Sequence, residues 1–188
     1  MQRKSFVFRS LLFASITVLF ALTQANAQCK PEGHHHPPLS PAAVASTTLN
    51  GKTLTVYYCT PAMRGRKIMG GLVPYGKIWR TGANTATTIH TEANLRIGGK
   101  DVPAGAYSLY TLPSAKAWTL IINKQVGQWG LTYHEDQDLA RIPMMRGPTP
   151  ATPVQNFKIA FEHTHGNHTQ LHLIWETTDV YVPITATK

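Results

Sequence analysis

Arg66, Trp79, Arg80, Asn84 and Trp129 are the side chains best suited by type to hold a ligand. Arginine carries a planar fork of N–H donors that matches a carboxylate or phosphate, and asparagine adds a donor and an acceptor. A tryptophan ring can stack on a sugar face or a guanidinium. Four of the five lie in one stretch, residues 63–88, MRGRKIMGGLVPYGKIWRTGANTATT, which has no acidic residue. Glycines at 65, 70, 71, 76 and 82 make its backbone turn repeatedly or approach something closely. The chemistry such residues offer is capture of a small polar or anionic ligand. The competing reading has the arginines tying loops together through backbone carbonyls or pairing with Glu92, Asp136 or Asp138, with Trp79 as core.

The histidines are a second group. His163, His165 and His168 surround the Gly166-Asn167 turn, and His172 follows on the next strand. Imidazoles at such spacing could bind zinc, copper or nickel, but a metal site needs fixed geometry and a second shell. A solvated polar loop is the favoured reading, and no cofactor is predicted. Ser108 and Ser114 lack the context of a nucleophile elbow. Glu135, Asp136 and Asp138 fit no complete calcium loop. The chain thus leans towards a non-catalytic binding protein. An uncharacterised, hydrolase-like enzyme and a metal-binding protein are the alternatives.

The elements that must position these residues are strands. KTLTVYY at residues 52–58 alternates Leu54, Val56 and Tyr58 against polar neighbours, a period of two. Residues 85–91 are Thr-rich, a good strand composition. Gly98-Gly99 marks a hairpin within residues 94–102. Residues 106–112, 118–123 and 139–145 continue the pattern, and 155–162 pairs with 169–175 around HTHGNH before a closing strand at 179–185. One helical turn is expected at 67–70. The expected fold is all-β, an antiparallel β-sandwich or flattened barrel of about nine short strands.

The first 27 residues read as a cleaved signal peptide: Arg3, Lys4 and Arg9, a short apolar run, then Ala25-Asn26-Ala27. Residues 28–41 form a flexible Pro/His-rich leader, and 42–188 one domain. The formal net charge of +9 includes those three signal charges, leaving +6 after cleavage. Without a long basic run this charge argues for anionic small molecules rather than nucleic acid. No later run is apolar enough to span a bilayer. An exported location, periplasmic or secreted, follows. Cys29 and Cys59 either pair or remain two independent thiols.

The blocks Gly65-Arg66, Leu72-Val73-Pro74-Tyr75-Gly76 and Trp79-Arg80-Thr81-Gly82-Ala83-Asn84 resemble those of the bacterial DUF2911 family. So do Ile97-Gly98-Gly99-Lys100, Pro103-Ala104-Gly105-x-Tyr107-Ser108-Leu109, Trp118-Thr119, Ile122-Asn123-Lys124 and Gln128-Trp129-Gly130. The resemblance runs from Leu39 to about Ile184 and implies an exported protein without an established function. Some members carry the label asparagine synthetase, yet this chain has neither an N-terminal nucleophilic cysteine nor a nucleotide-binding loop. Members often have Ser-Arg-Pro near the end of the first strand. Here Cys59-Thr60-Pro61 stands there, so no role for that arginine carries over, and the resemblance does not extend to the histidines.

Overall fold

The computed structural model describes Cys29 and residues 39–187. The expected signal peptide and cleavage site and most of the expected leader lie outside the described residues. Eleven antiparallel strands form one sheet. They are β1 (Ala42–Leu49), β2 (Lys52–Cys59), β3 (Thr87–Thr91), β4 (Leu95–Ile97), β5 (Lys100–Val102), β6 (Gly105–Leu112), β7 (Trp118–Asn123), β8 (Asp138–Arg146), β9 (Val154–His165), β10 (His168–Glu176) and β11 (Thr178–Ala186). Their order is β1-β2-β3-β6-β7-β8-β11-β10-β9, and the small β4–β5 hairpin joins through β4 on β11. The sheet curls until its ends meet. Thr47 Oγ1 of β1 lies 3.2 Å from Thr164 Oγ1 of β9, and Asn50 N–H donates to the Gly166 carbonyl at 3.2 Å. The fold is therefore a nearly closed barrel, the second of the two expected forms, rather than a sandwich of two sheets. Closure of this kind removes edges that would otherwise template pairing with other chains.

Alternation sorts the side chains. Leu54, Val56, Ile89, Leu109, Leu120, Ile122, Ile142, Leu171, Leu173, Val180 and Val182 fill the interior. At one place the outer face is buried too: Ala86, Tyr110 and Ile121 make a second, small cluster with Ile78, Leu112 and Tyr133 against it. Strands covered on both faces read as continuous apolar runs, which is why WTLIIN in β7 shows no clean period of two.

One strand was not anticipated, and one local expectation is corrected. AAVASTTL, which has no alternating pattern, forms β1, and Asn50-Gly51 turns it into β2 with φ of 49° and 77°. Both values are the positive φ that an Asn-Gly hairpin supplies, and that dipeptide was the signal for the missed strand. Residues 67–70 make no helical turn. Ile68 and Met69 donate their N–H groups to the Glu176 carboxylate, and Met69 bridges to Val73. A short 3-10 turn lies at Glu135–Gln137.

Candidate site beneath the 124–137 loop

The segment 63–86 crosses from β2 to β3 and divides its functional candidates between two faces. Trp79 turns inward. Its ring stacks on Trp175 at 5.9 Å and meets Phe157 and Trp118 edge-on at 4.9 and 6.2 Å. Its Nε1–H donates to the Gly82 carbonyl at 3.1 Å, so both its apolar body and its polar tip are used by the fold. Backbone bonds of 2.8 Å in both directions fix Trp79 to Thr111 of β6.

Arg80, the next residue, turns outward and is covered by the loop between β7 and β8. Its guanidinium carbon lies 6.0 Å from the Trp129 ring centroid, a cation–π contact. Gly130 lets this covering happen. A Cβ there would collide with the Arg80 side chain and lie 2.5 Å from the Asn84 carbonyl oxygen. Burial lowers the Arg80 pKa below the usual arginine value, and the nearby Tyr110 opposes that. Trp129 itself remains 45% exposed.

The polar floor beneath the loop comes from β6. Ser108 and Tyr110 lie on the outer face, opposite Leu109. Tyr110 donates its one hydroxyl proton to the Thr132 carbonyl at 2.9 Å. The amide atom of Gln128 facing Tyr110 at 3.0 Å must then be the donor, Nε2, which also reaches Ser108 Oγ at 3.1 Å. Gln128 Oε1 is thereby turned away without a partner. Among the described residues, the buried side-chain polar atoms lacking a hydrogen-bond partner are Arg80 Nε, Gln125 Oε1 and Gln128 Oε1. Two belong to this loop and the third to the arginine under it. Buried polar groups are normally paired, so this concentration marks the place.

The other candidates are placed elsewhere. Arg66 donates to the Met63 and Ala62 carbonyls at 3.0 and 2.8 Å and ties its own turn. Asn84 holds positive φ, 60°, and sends its side chain to the Cys29 carbonyl at 2.8 Å; only its backbone reaches the loop, accepting from Gly130 N–H at 3.0 Å. Cys29 and Cys59 form a disulfide with a Cα–Cα distance of 5.6 Å. The acidic residues do not pair with Arg66 or Arg80. Glu135 and Asp138 bind Arg141 at 2.8 and 2.9 Å, and Glu92 accepts from Thr53 N–H at 2.7 Å.

The histidines split as well. His165 and His168 face each other across the turn with ring centroids 5.6 Å apart. Nδ1 of His165 lies 2.9 Å from the His163 carbonyl, and that of His168 lies 3.0 Å from Thr185 Oγ1. His172 is 1% exposed, with Nδ1 at 2.8 Å from Asp179, Nε2 at 3.1 Å from Gln170 Oε1, and its ring stacked on Tyr181 at 4.8 Å. No group of three or more metal-ligating residues gathers among the described residues.

Sequence reasoning joined Arg80 to Trp129 but missed Tyr110, Gln125 and Gln128. Alternation in AYSLYTL places Tyr110 opposite Leu109, and Gln128 adjoins Trp129, so both signals existed. Their meeting with Arg80 depends on how two segments more than forty positions apart fold over β6. Searches of curated proteins and of solved structures find no match to the chain. The family model described as a protein of unknown function, DUF2911, matches residues 40–184, and the chain belongs to that family.

Proposed function

We propose that this DUF2911 protein is a non-catalytic binding protein for a small polar, anionic ligand, held between Arg80 and the loop carrying Gln128 and Trp129. The observation that carries this reading is that Arg80 Nε is buried without a partner beneath a loop in which Gln125 Oε1 and Gln128 Oε1 are also buried and unpartnered. An N–H without an acceptor calls for a carboxylate or phosphate oxygen. Carbonyl oxygens without donors call for hydroxyl or amine protons. A hydroxy acid or sugar acid has both, and Trp129 offers it a flat apolar ring. Net positive charge attracts such a ligand. We further propose that the protein is exported. The signal-like start supports this, as does a disulfide, which persists in oxidising compartments.

The test is a thermal-shift panel of glucuronate, glucose, acetate and phosphate on wild type and Arg80→Lys. Glucuronate should raise the wild-type Tm and raise that of the variant less, because Lys cannot reproduce the guanidinium fork. Equal shifts in both proteins, or none with any of the four, would overturn the reading.

A further inference from the structure

We infer that the Cys29–Cys59 disulfide is a redox lock on this site, acting through the side chain of Asn84; the inference rests on the Arg80–Trp129 site being where a ligand binds. Three direct contacts connect bridge to loop. Cys29 and Cys59 are joined covalently, and both are buried. The Cys29 carbonyl accepts from Asn84 Nδ2 at 2.8 Å. The Asn84 carbonyl in turn accepts from Gly130 N–H at 3.0 Å, next to the Trp129 that covers Arg80. Asn84 sits at φ 60°, a region that asparagine enters more readily than most residues and that its surroundings must hold in place. The chain just before it packs on the other half of the bridge, since a Cβ on Gly82 would lie 3.0 Å from the Cys59 carbonyl oxygen. The turn 80–84 is therefore clamped between the disulfide below and the loop above.

Reduction breaks one S–S bond and forms two thiols, with two electrons and two protons supplied by a dithiol that itself becomes a disulfide. Cys29 is then no longer held to Cys59, and its carbonyl loses its fixed position against Asn84. The loop keeps its other anchors: the Gln128 side chain on Ser108 and Tyr110, the Gln128 carbonyl on Ala86 N–H at 3.3 Å, and Tyr110 on the Thr132 carbonyl. The loosening falls first on Gly130, whose N–H rests on the Asn84 carbonyl, and through it on the neighbouring Trp129 that covers Arg80.

Hydrogen exchange of the full chain, oxidised and after treatment with dithiothreitol, tests this without any ligand. Exchange in peptides covering residues 126–133 should rise about tenfold on reduction while peptides from β9 and β10 stay unchanged. Asn84→Gly tolerates the positive φ and removes the side chain that donates to Cys29. It should loosen the same peptide with the disulfide intact, and reduction should add nothing further. Should the buried bridge resist the reagent, Cys29→Ser with Cys59→Ser gives the open state. An unchanged loop in the opened protein overturns the lock, as does a rise shared by β9 and β10 or a silent Asn84→Gly. None of these results depends on whether glucuronate binds, so the lock and the binding reading fail separately.

Discussion

The Tyr133 hydroxyl donates to Asp138 Oδ2 at 2.6 Å, and this contact fastens the end of the covering loop to the start of β8. Asp138 also accepts from Asn123 Nδ2 and Arg141 Nε, each at 2.9 Å, while Arg141 Nη2 reaches the Tyr133 oxygen at 2.8 Å. The Tyr133 pKa is raised to about 12, first by burial and then by its bond to Asp138 and that residue's charge, with Arg141 opposing. A folded-state value above the unfolded one means that the folded protein holds the proton longer. The associated stability is complete below the usual tyrosine range, near pH 10, and is lost as pH rises through about 12. Burial also raises Tyr58, Tyr107 and Tyr110, so ultraviolet titration of tyrosinate should show several late-ionising tyrosines, one of which disappears in Tyr133→Phe. The same variant should lose about 1 kcal/mol of stability at neutral pH, the size of one net hydrogen bond.

Arg80 is expected to matter for binding more than for folding. Its Nε has no protein acceptor, so removing the side chain strands no partner of that atom. Arg80→Lys should melt within a few degrees of wild type. Arg80→Ala should cost on the order of 1 kcal/mol through lost packing and the cation–π contact with Trp129. A loss of about 3 kcal/mol or more in both variants would make Arg80 a structural residue.

Gly130→Ala should displace the loop. The new methyl meets the Asn84 carbonyl oxygen, a backbone atom that cannot swing aside as a side chain can. A cost of about 1–3 kcal/mol is expected. Trp129 is the one exposed tryptophan among the described residues, so acrylamide quenching should increase when it lifts from Arg80.

The buried His172–Asp179 pair lies on the outward side of β10 and β11. Asp179→Ala leaves His172 Nδ1 without its partner in a site closed to water. Breaking such a pair should cost about 3 kcal/mol in chemical denaturation. Exchange in the 126–133 peptide should not change, because β11 meets β8 at Met145 and Arg146, the end of β8 remote from that loop.

The all-β fold was legible because strand formation is written locally. KTLTVYY alternates, Gly98-Gly99 turns, and β9 and β10 flank Gly166-Asn167. Asn50-Gly51 announced a hairpin as well, but AAVASTTL offers small residues in place of an apolar stripe, so β1 stayed hidden. Whether the strands close into a barrel or stack as two sheets depends on which strands meet across the whole chain. Closure is carried by contacts such as Thr47 with Thr164, whose residue types say nothing of one another.

The candidate site divides along the same line. Residue types pointed to Arg80 and Trp129, and alternation after an inward Trp79 sends Arg80 to the opposite face. What the tertiary structure alone decided was the partner of each donor. Arg66 found the carbonyls of its own turn, Asn84 found Cys29, and Arg80 Nε found none. A side chain's type fixes how many hydrogen bonds it can make. Which of them remain unmade is settled by the packing of segments distant in sequence, here the 124–137 loop laid over β6.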